Sequence, residues 1–321
     1  MFKTSILFAA VASTFVAAAP VSTQSNLIIF GNSLSDNGNI KAMTGSPAYW
    51  QGRYSNSYVW NEYTAKLLNM KLENHAYGGA TSNNDLSPAF AGNMSIPSFH
   101  DQVNTWLSDK THLNSYNLQN DVIGVEIGGN DVFGNMKKVM SGAMTLDQFA
   151  MALGNNIATD VGSLVKAGYK NIYVWNLPAV DKVPYITSMG LGPLVAPMVA
   201  TINNRVAEAL QPAISLGVNL LDFGALMNQA FDPKILAALG VTDSTSACYN
   251  KPANGTAVIC SNPDNHLFYD GIHPASRMHY LWGVVASIYM RDPSHKLTIE
   301  EILQLIKKFD IGNSNVNDNL I

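Results

Sequence analysis

The sequence predicts an α/β fold built on a mainly parallel sheet, and three features carry the prediction. Short apolar runs alternate with longer segments of helical period, the order in which parallel strands and their crossover helices are laid down. Those runs lack the polar alternation of a sheet with one wet face, so helices must cover both sides. At 321 residues the chain can bury about three quarters of its unfolded surface, and one large domain is the simplest organisation.

The elements follow in order. Residues 1–19 carry Lys3, an apolar run from Ser5 to about Val16, and then Ala17, Ala18 and Ala19, the pattern of a cleaved secretory signal. The run is shorter than the roughly 20 residues that span a bilayer, and no later segment is long and charge-free enough to do so. The expectation is a secreted, extracellular protein without stable membrane insertion, residues 20–321 forming the single domain with a polar tail from about 310. The first strand is Leu27 to Phe30, followed by a turn at Asn37-Gly38-Asn39. The stretch from Ala42 to Phe99 reads as loop, and a second strand as Val122 to Ile127.

A helix from Leu146 to Lys166 opens on the capping box Thr145-x-x-Gln148 and carries Phe149, Leu153, Ile157, Val161 and Leu164 along one stripe. It stops near Gly168 and feeds a strand at Ile172 to Trp175. The stripe Leu194, Met198, Ile202, Val206, Leu210 predicts another crossover helix before a strand at Leu220 to Phe223. A proline at the first helical position places the next helix start at Pro274, running through Met278, Leu281, Val285 and Ile288. Thr298-x-x-Glu301 opens the last amphipathic helix.

Charged residues make up 13% of the chain against a usual value of about 25%, and no run of Lys and Arg stands out. Nucleic acid and anionic headgroups are therefore not held by bulk charge. The two cysteines, Cys248 and Cys260, predict a disulfide in an oxidising compartment, worth about 3 kcal/mol in the chain-entropy model. Two glycosylation sequons, at Asn93 and Asn254, agree with secretion.

Four short motifs carry the chemistry. Asp270-Gly271-Ile272-His273 sets a carboxylate and an imidazole three residues apart, so the acid can fix the tautomer that leaves the other ring nitrogen free to take a proton. Ser33 lies just past the first strand, where ligands bind in open α/β sheets. Asn130 follows a strand behind Gly128-Gly129, and its amide is a neutral donor suited to an oxyanion. Gly78-Gly79 lets a backbone N–H approach a substrate oxygen. Together these are the inventory for acyl transfer: nucleophile, base, orienting acid and oxyanion donors.

In four blocks and in this order, these residues resemble the SGNH or GDSL hydrolase superfamily, from about Leu27 to Ala275. Further text is similar to its secreted lipase/acylhydrolase-like branch: Phe30-Gly31-Asn32-Ser33-Leu34-Ser35-Asp36-Asn37-Gly38-Asn39, Gly52-Arg53-Tyr54-Ser55-Asn56 with Val59-Trp60, and Ile96-Pro97-Ser98-Phe99. The resemblance implies a flavodoxin-like three-layer α/β/α sandwich, Ser33 as nucleophile, His273 as base and Asp270 as its orienting acid. It implies the Ser33 amide, Gly79 and Asn130 as the oxyanion hole, Gly79 being preferred to Gly78 because it sits five residues after Asn74. Asn32 departs from the family, which usually has Asp there.

No Gly-x-Ser-x-Gly occurs, which argues against an α/β-hydrolase, and no compact metal-ligand spacing occurs; no metal and no cofactor are expected. The expected activity is hydrolysis of lipid or short-chain carboxylic esters. The alternatives are a carbohydrate esterase that deacetylates plant-wall glycans and, in another class, a non-catalytic secreted binding protein on the same fold.

Overall fold

The structure is a computed structural model that describes residues 24–45, 49–109, 116–251 and 255–313. Residues 1–19, Asn254 and the end of the polar tail lie outside the described residues. Five strands form the central sheet, numbered here among themselves: β1 Asn26–Gly31, β2 Lys71–Asn74, β3 Val122–Glu126, β4 Asn171–Trp175 and β5 Asn219–Leu221. Their order is β2-β1-β3-β4-β5 and every pairing is parallel. This is the flavodoxin-like order, and its reversal between β1 and β3 opens a crevice at the carboxyl ends of those two strands.

The principal helices are α1 Trp60–Leu68, α2 Phe99–Ser108, α3 Gly129–Met140, α4 Leu146–Ala167, α5 Gly192–Ile214, α6 Phe223–Ala230, α7 Ser276–Tyr289 and α8 Ile299–Lys308. Neighbouring residues of a strand face opposite sides, and β1 shows the consequence. Phe30 meets Phe99 and Trp106 of α2, which packs on α4 and α4 on α5. Ile29 faces the other layer, where α1 packs on α7. There Gly124 leaves room for Trp60, since a Cβ would stand 3.2 Å from its ring. Trp60 stacks on Trp282, which stacks on Phe223, all fully buried.

Several expectations need correction. The stretch from Ala42 to Phe99 holds α1, β2 and a small hairpin of Phe90–Ala91 with Met94–Ser95. Its helix was hidden because buried polar residues break the apolar period: Asn61 donates to the Ser35 carbonyl, and Glu62 pairs with Arg53. The last sheet strand ends at Leu221, because Asp222 accepts the Ala225 N–H and caps α6 from Phe223. Helix α7 begins at Ser276, Pro274 being held in a bridge to Phe268. Leu194, placed on the core stripe of α5, is 59% exposed at its first turn. Both capping boxes, Thr145 with Gln148 and Thr298 with Glu301, form as expected.

Candidate active site

Ser33 stands on the loop that leaves β1 and Asn130 in the first turn of α3, just after β3, on either side of the crevice. The third loop, residues 270–273, is brought over them from 240 residues away. His273 Nε2 lies 2.8 Å from Ser33 Oγ, and its Nδ1 lies 2.9 and 2.7 Å from the two oxygens of Asp270. With Nδ1 donating to the carboxylate, Nε2 is left to accept the serine proton.

Local folding fixes this loop. Asp270 Oδ1 accepts the N–H groups of Ile272 and His273 at 2.8 and 2.7 Å, an Asx turn that aims the imidazole. Asp270 Oδ2 accepts the hydroxyl of Tyr49 at 2.7 Å. Burial would raise the Asp270 carboxyl, but the His273 charge and the hydrogen bonds from His273 and Ile272 outweigh it and hold the group well below the usual carboxylate range. Burial, and then Asp270 itself, pushes the Tyr49 phenol far up, so Tyr49 remains a donor. The block Gly52–Asn56 latches the same loop: Ser55 donates to the Pro274 carbonyl, Asn56 accepts the Ser276 N–H, and the Tyr54 ring lies 4.9 Å from that of His273.

The donor side is equally tied. Gly78 donates to the Asp36 carboxylate, which also binds the N–H groups of Gly38, Asn39 and Ile40. The N–H groups of Ser33 and Gly79 meet no acceptor among the described residues. Gly79 has φ +87°, a conformation that glycine adopts freely. Asn130 spends one amide proton on the Ala80 carbonyl at 2.8 Å, leaving the other. Asp131 beside it accepts both the N–H and the hydroxyl of Ser82, which locks the glycine loop to the first turn of α3. Between Ser33 and Asn130 runs a cleft with apolar walls at Leu34, Phe133, Val180, Val183 and Ile272.

Other anticipated residues fall elsewhere. Asn93 lies exposed in the hairpin turn. Cys248 and Cys260 are joined in a disulfide, so neither offers a thiolate to a metal. Cys248 packs with Tyr269 and Ala275, with Tyr49 and Tyr249 against them. His279 is buried within α7, where its Nδ1 accepts the Trp60 N–H.

Two contacts near the site, Tyr49 on Asp270 and Glu126 on Asn32, were not anticipated. Tyr49 has no motif around it to give it away. Glu126, fully enclosed at the end of β3, accepts from the Asn32 amide at 3.1 Å, and burial pushes its carboxyl up to about 7 against the bonds from Asn32 and Ser35. It lay inside an apolar run, and an acid in such a run is a signal that sequence could have used.

The model of the GDSL-like lipase/acylhydrolase family matches residues 27–283. A thermolabile hemolysin of Vibrio parahaemolyticus is 26% identical over 275 residues, 79% of this chain and 60% of that protein. The chain thus spans about three fifths of the length of that relative. A phosphatidylcholine-sterol acyltransferase of Aeromonas hydrophila is 26% identical over 258 residues, 76% of this chain and 71% of that protein. Among solved structures, a carbohydrate acetylesterase from Sinorhizobium meliloti aligns over 84% of this chain and 99% of its own, with TM-score 0.49 and 14% identity.

Proposed function

The chain belongs to the GDSL-like lipase/acylhydrolase family, and from that premise we propose a secreted, single-domain serine esterase that cleaves lipid or short-chain carboxylic esters through Ser33, His273 and Asp270. The observation that carries this reading is the unbroken line of hydrogen bonds from Ser33 Oγ through His273 to Asp270, beside two backbone N–H groups with no acceptor among the described residues.

His273 Nε2 takes the Ser33 proton as Oγ attacks the ester carbonyl. The Ser33 and Gly79 N–H groups and the spare Asn130 amide proton receive the negative charge that develops on the carbonyl oxygen. The tetrahedral intermediate collapses, the C–O bond breaks, and the imidazolium gives its proton to the departing alcohol. Water, deprotonated by the same imidazole, then hydrolyses the acyl-enzyme. Secretion rests on the pattern of residues 1–19 and agrees with the disulfide.

Initial rates on p-nitrophenyl esters from acetate to palmitate, with Ser33→Ala alongside, test the reading. Hydrolysis that disappears in the variant, together with labelling of Ser33 by a fluorophosphonate, is expected. A protein that neither hydrolyses any ester nor reacts with the phosphonate is a binding module.

A further inference from the structure

A second cavity, of about 550 Å³, lies beyond the carboxyl ends of β4 and β5, at the same end of the sheet as Ser33. One loop walls both spaces. Pro178 lines the cavity and the catalytic cleft alike, Val180 and Val183 line the cleft, and Asn176 and Asp181 line the cavity. The walls are built: Asn176 bonds Asp222 and the Gly224 N–H, and Asn203 clasps both the N–H and the carbonyl of Leu177.

What remains open is polar and hydrogen-bonding. The side chains of Asn204, Asn228 and Asp181 make no hydrogen bond among the described residues, and one oxygen of Asp222 is likewise unused. Among the described residues no Lys or Arg lines the cavity, so nothing there compensates an anion, and a long acyl chain would bury the Asp181 carboxylate and the unused Asp222 oxygen without partners. Hydroxyl groups fit instead. They donate to the carboxylates and accept from the amides, while their C–H faces rest on Val199 and Ala200. The volume lies within the usual range for small-molecule sites.

We propose that this cavity binds the polyhydroxyl alcohol part of the substrate, a sugar unit, whose ester is presented to Ser33 across Pro178. The proposal rests on the esterase reading, and its test separates the two. One arm compares kcat/KM for the glucose 6-ester and the ethyl ester of a single acyl group. The other follows binding of cellotriose to the Ser33→Ala protein by saturation-transfer NMR. Both arms use Asn204→Ala with Asn228→Ala, and separately Ala200→Trp, which fills the cavity from an exposed position on α5; thermal melting confirms that each variant is folded.

The sugar ester is expected to be preferred, and each variant to lower that preference about tenfold, the worth of one or two hydrogen bonds. The cellotriose signal should vanish in Ala200→Trp. A preference that neither variant moves, or a signal that survives Ala200→Trp, overturns the proposal. If no ester is cleaved at all, the esterase reading falls, and the NMR arm alone decides the cavity: a signal that Ala200→Trp abolishes supports it, and an absent or unaltered signal refutes it.

Discussion

Asp270 has more donors than the acid of the proposed triad needs. Tyr49 holds the oxygen that the backbone leaves free, and so draws charge from the carboxylate that, in the proposed mechanism, steadies the imidazolium. In Tyr49→Phe the carboxylate loses the hydroxyl donor and keeps those of the loop backbone and His273. The carboxylate also gains freedom to turn, and kcat should fall roughly tenfold, as for loss of one charge-assisted hydrogen bond. Wild-type kcat in a folded Tyr49→Phe protein would deny Tyr49 a positioning role. At the opposite side, Asn130→Ala removes a neutral donor and should lower kcat by roughly 100- to 1000-fold in a protein that still folds. Near-full turnover in a folded variant would remove Asn130 from the oxyanion hole. The residues within motifs were legible because short spacing brings their chemistry together: Asp270 with His273, and Asn130 behind two glycines. Tyr49 was not, since its partner is 221 positions away and only the folded chain joins them.

Among elements, the legible ones were those whose ends and faces are written locally. Helix α4 carries its capping box, its stripe and its Gly168 stop, and it forms almost as the pattern dictates. Helix α1 was illegible because its buried polar residues are satisfied by distant partners, and β2 because an edge strand of four residues, Lys-Leu-Glu-Asn, need not be apolar. The Gly52–Asn56 block gains a physical role at this scale, since it latches the loop that carries His273. The disulfide acts on that loop from its other side, through Tyr269, Tyr249 and Tyr49. Cys248→Ala with Cys260→Ala should therefore cost about 3 kcal/mol and lower Tm by on the order of 5 °C. Turnover should decline at temperatures below the global transition, as the tyrosine cluster loosens. Coincident loss of turnover and of folded structure would show that the bridge stabilises the whole chain without supporting the site.

At the scale of the whole molecule, a chain with few charges has placed several of its carboxylates inside, and their burial shapes stability against pH. Asp270 is held low, so its contribution is present above the ordinary aspartate value and is lost as pH falls towards its folded one. Glu126 works in the opposite sense. Burial first, against the Asn32 and Ser35 bonds, raises it from 4.5 to about 7. Its protonated form suits the fold, so the stability linked to it is fully present below the unfolded value and is lost as pH rises through about 7. The melting temperature of the wild type should thus decline between pH of about 5 and 8. Glu126→Gln, which keeps the shape of the neutral acid, should flatten that decline. Asn32→Asp, which restores the residue usual in the family, sets a second carboxyl where the amide now meets Glu126 at 3.1 Å, and should steepen it. The combination of Asn32→Asp with Glu126→Gln moves the acid from one partner to the other and should recover most of the loss, because a single buried carboxyl again faces an amide. If Asn32→Asp melts as the wild type does with or without Glu126→Gln, the two side chains are not coupled, and the departure at position 32 has another cause.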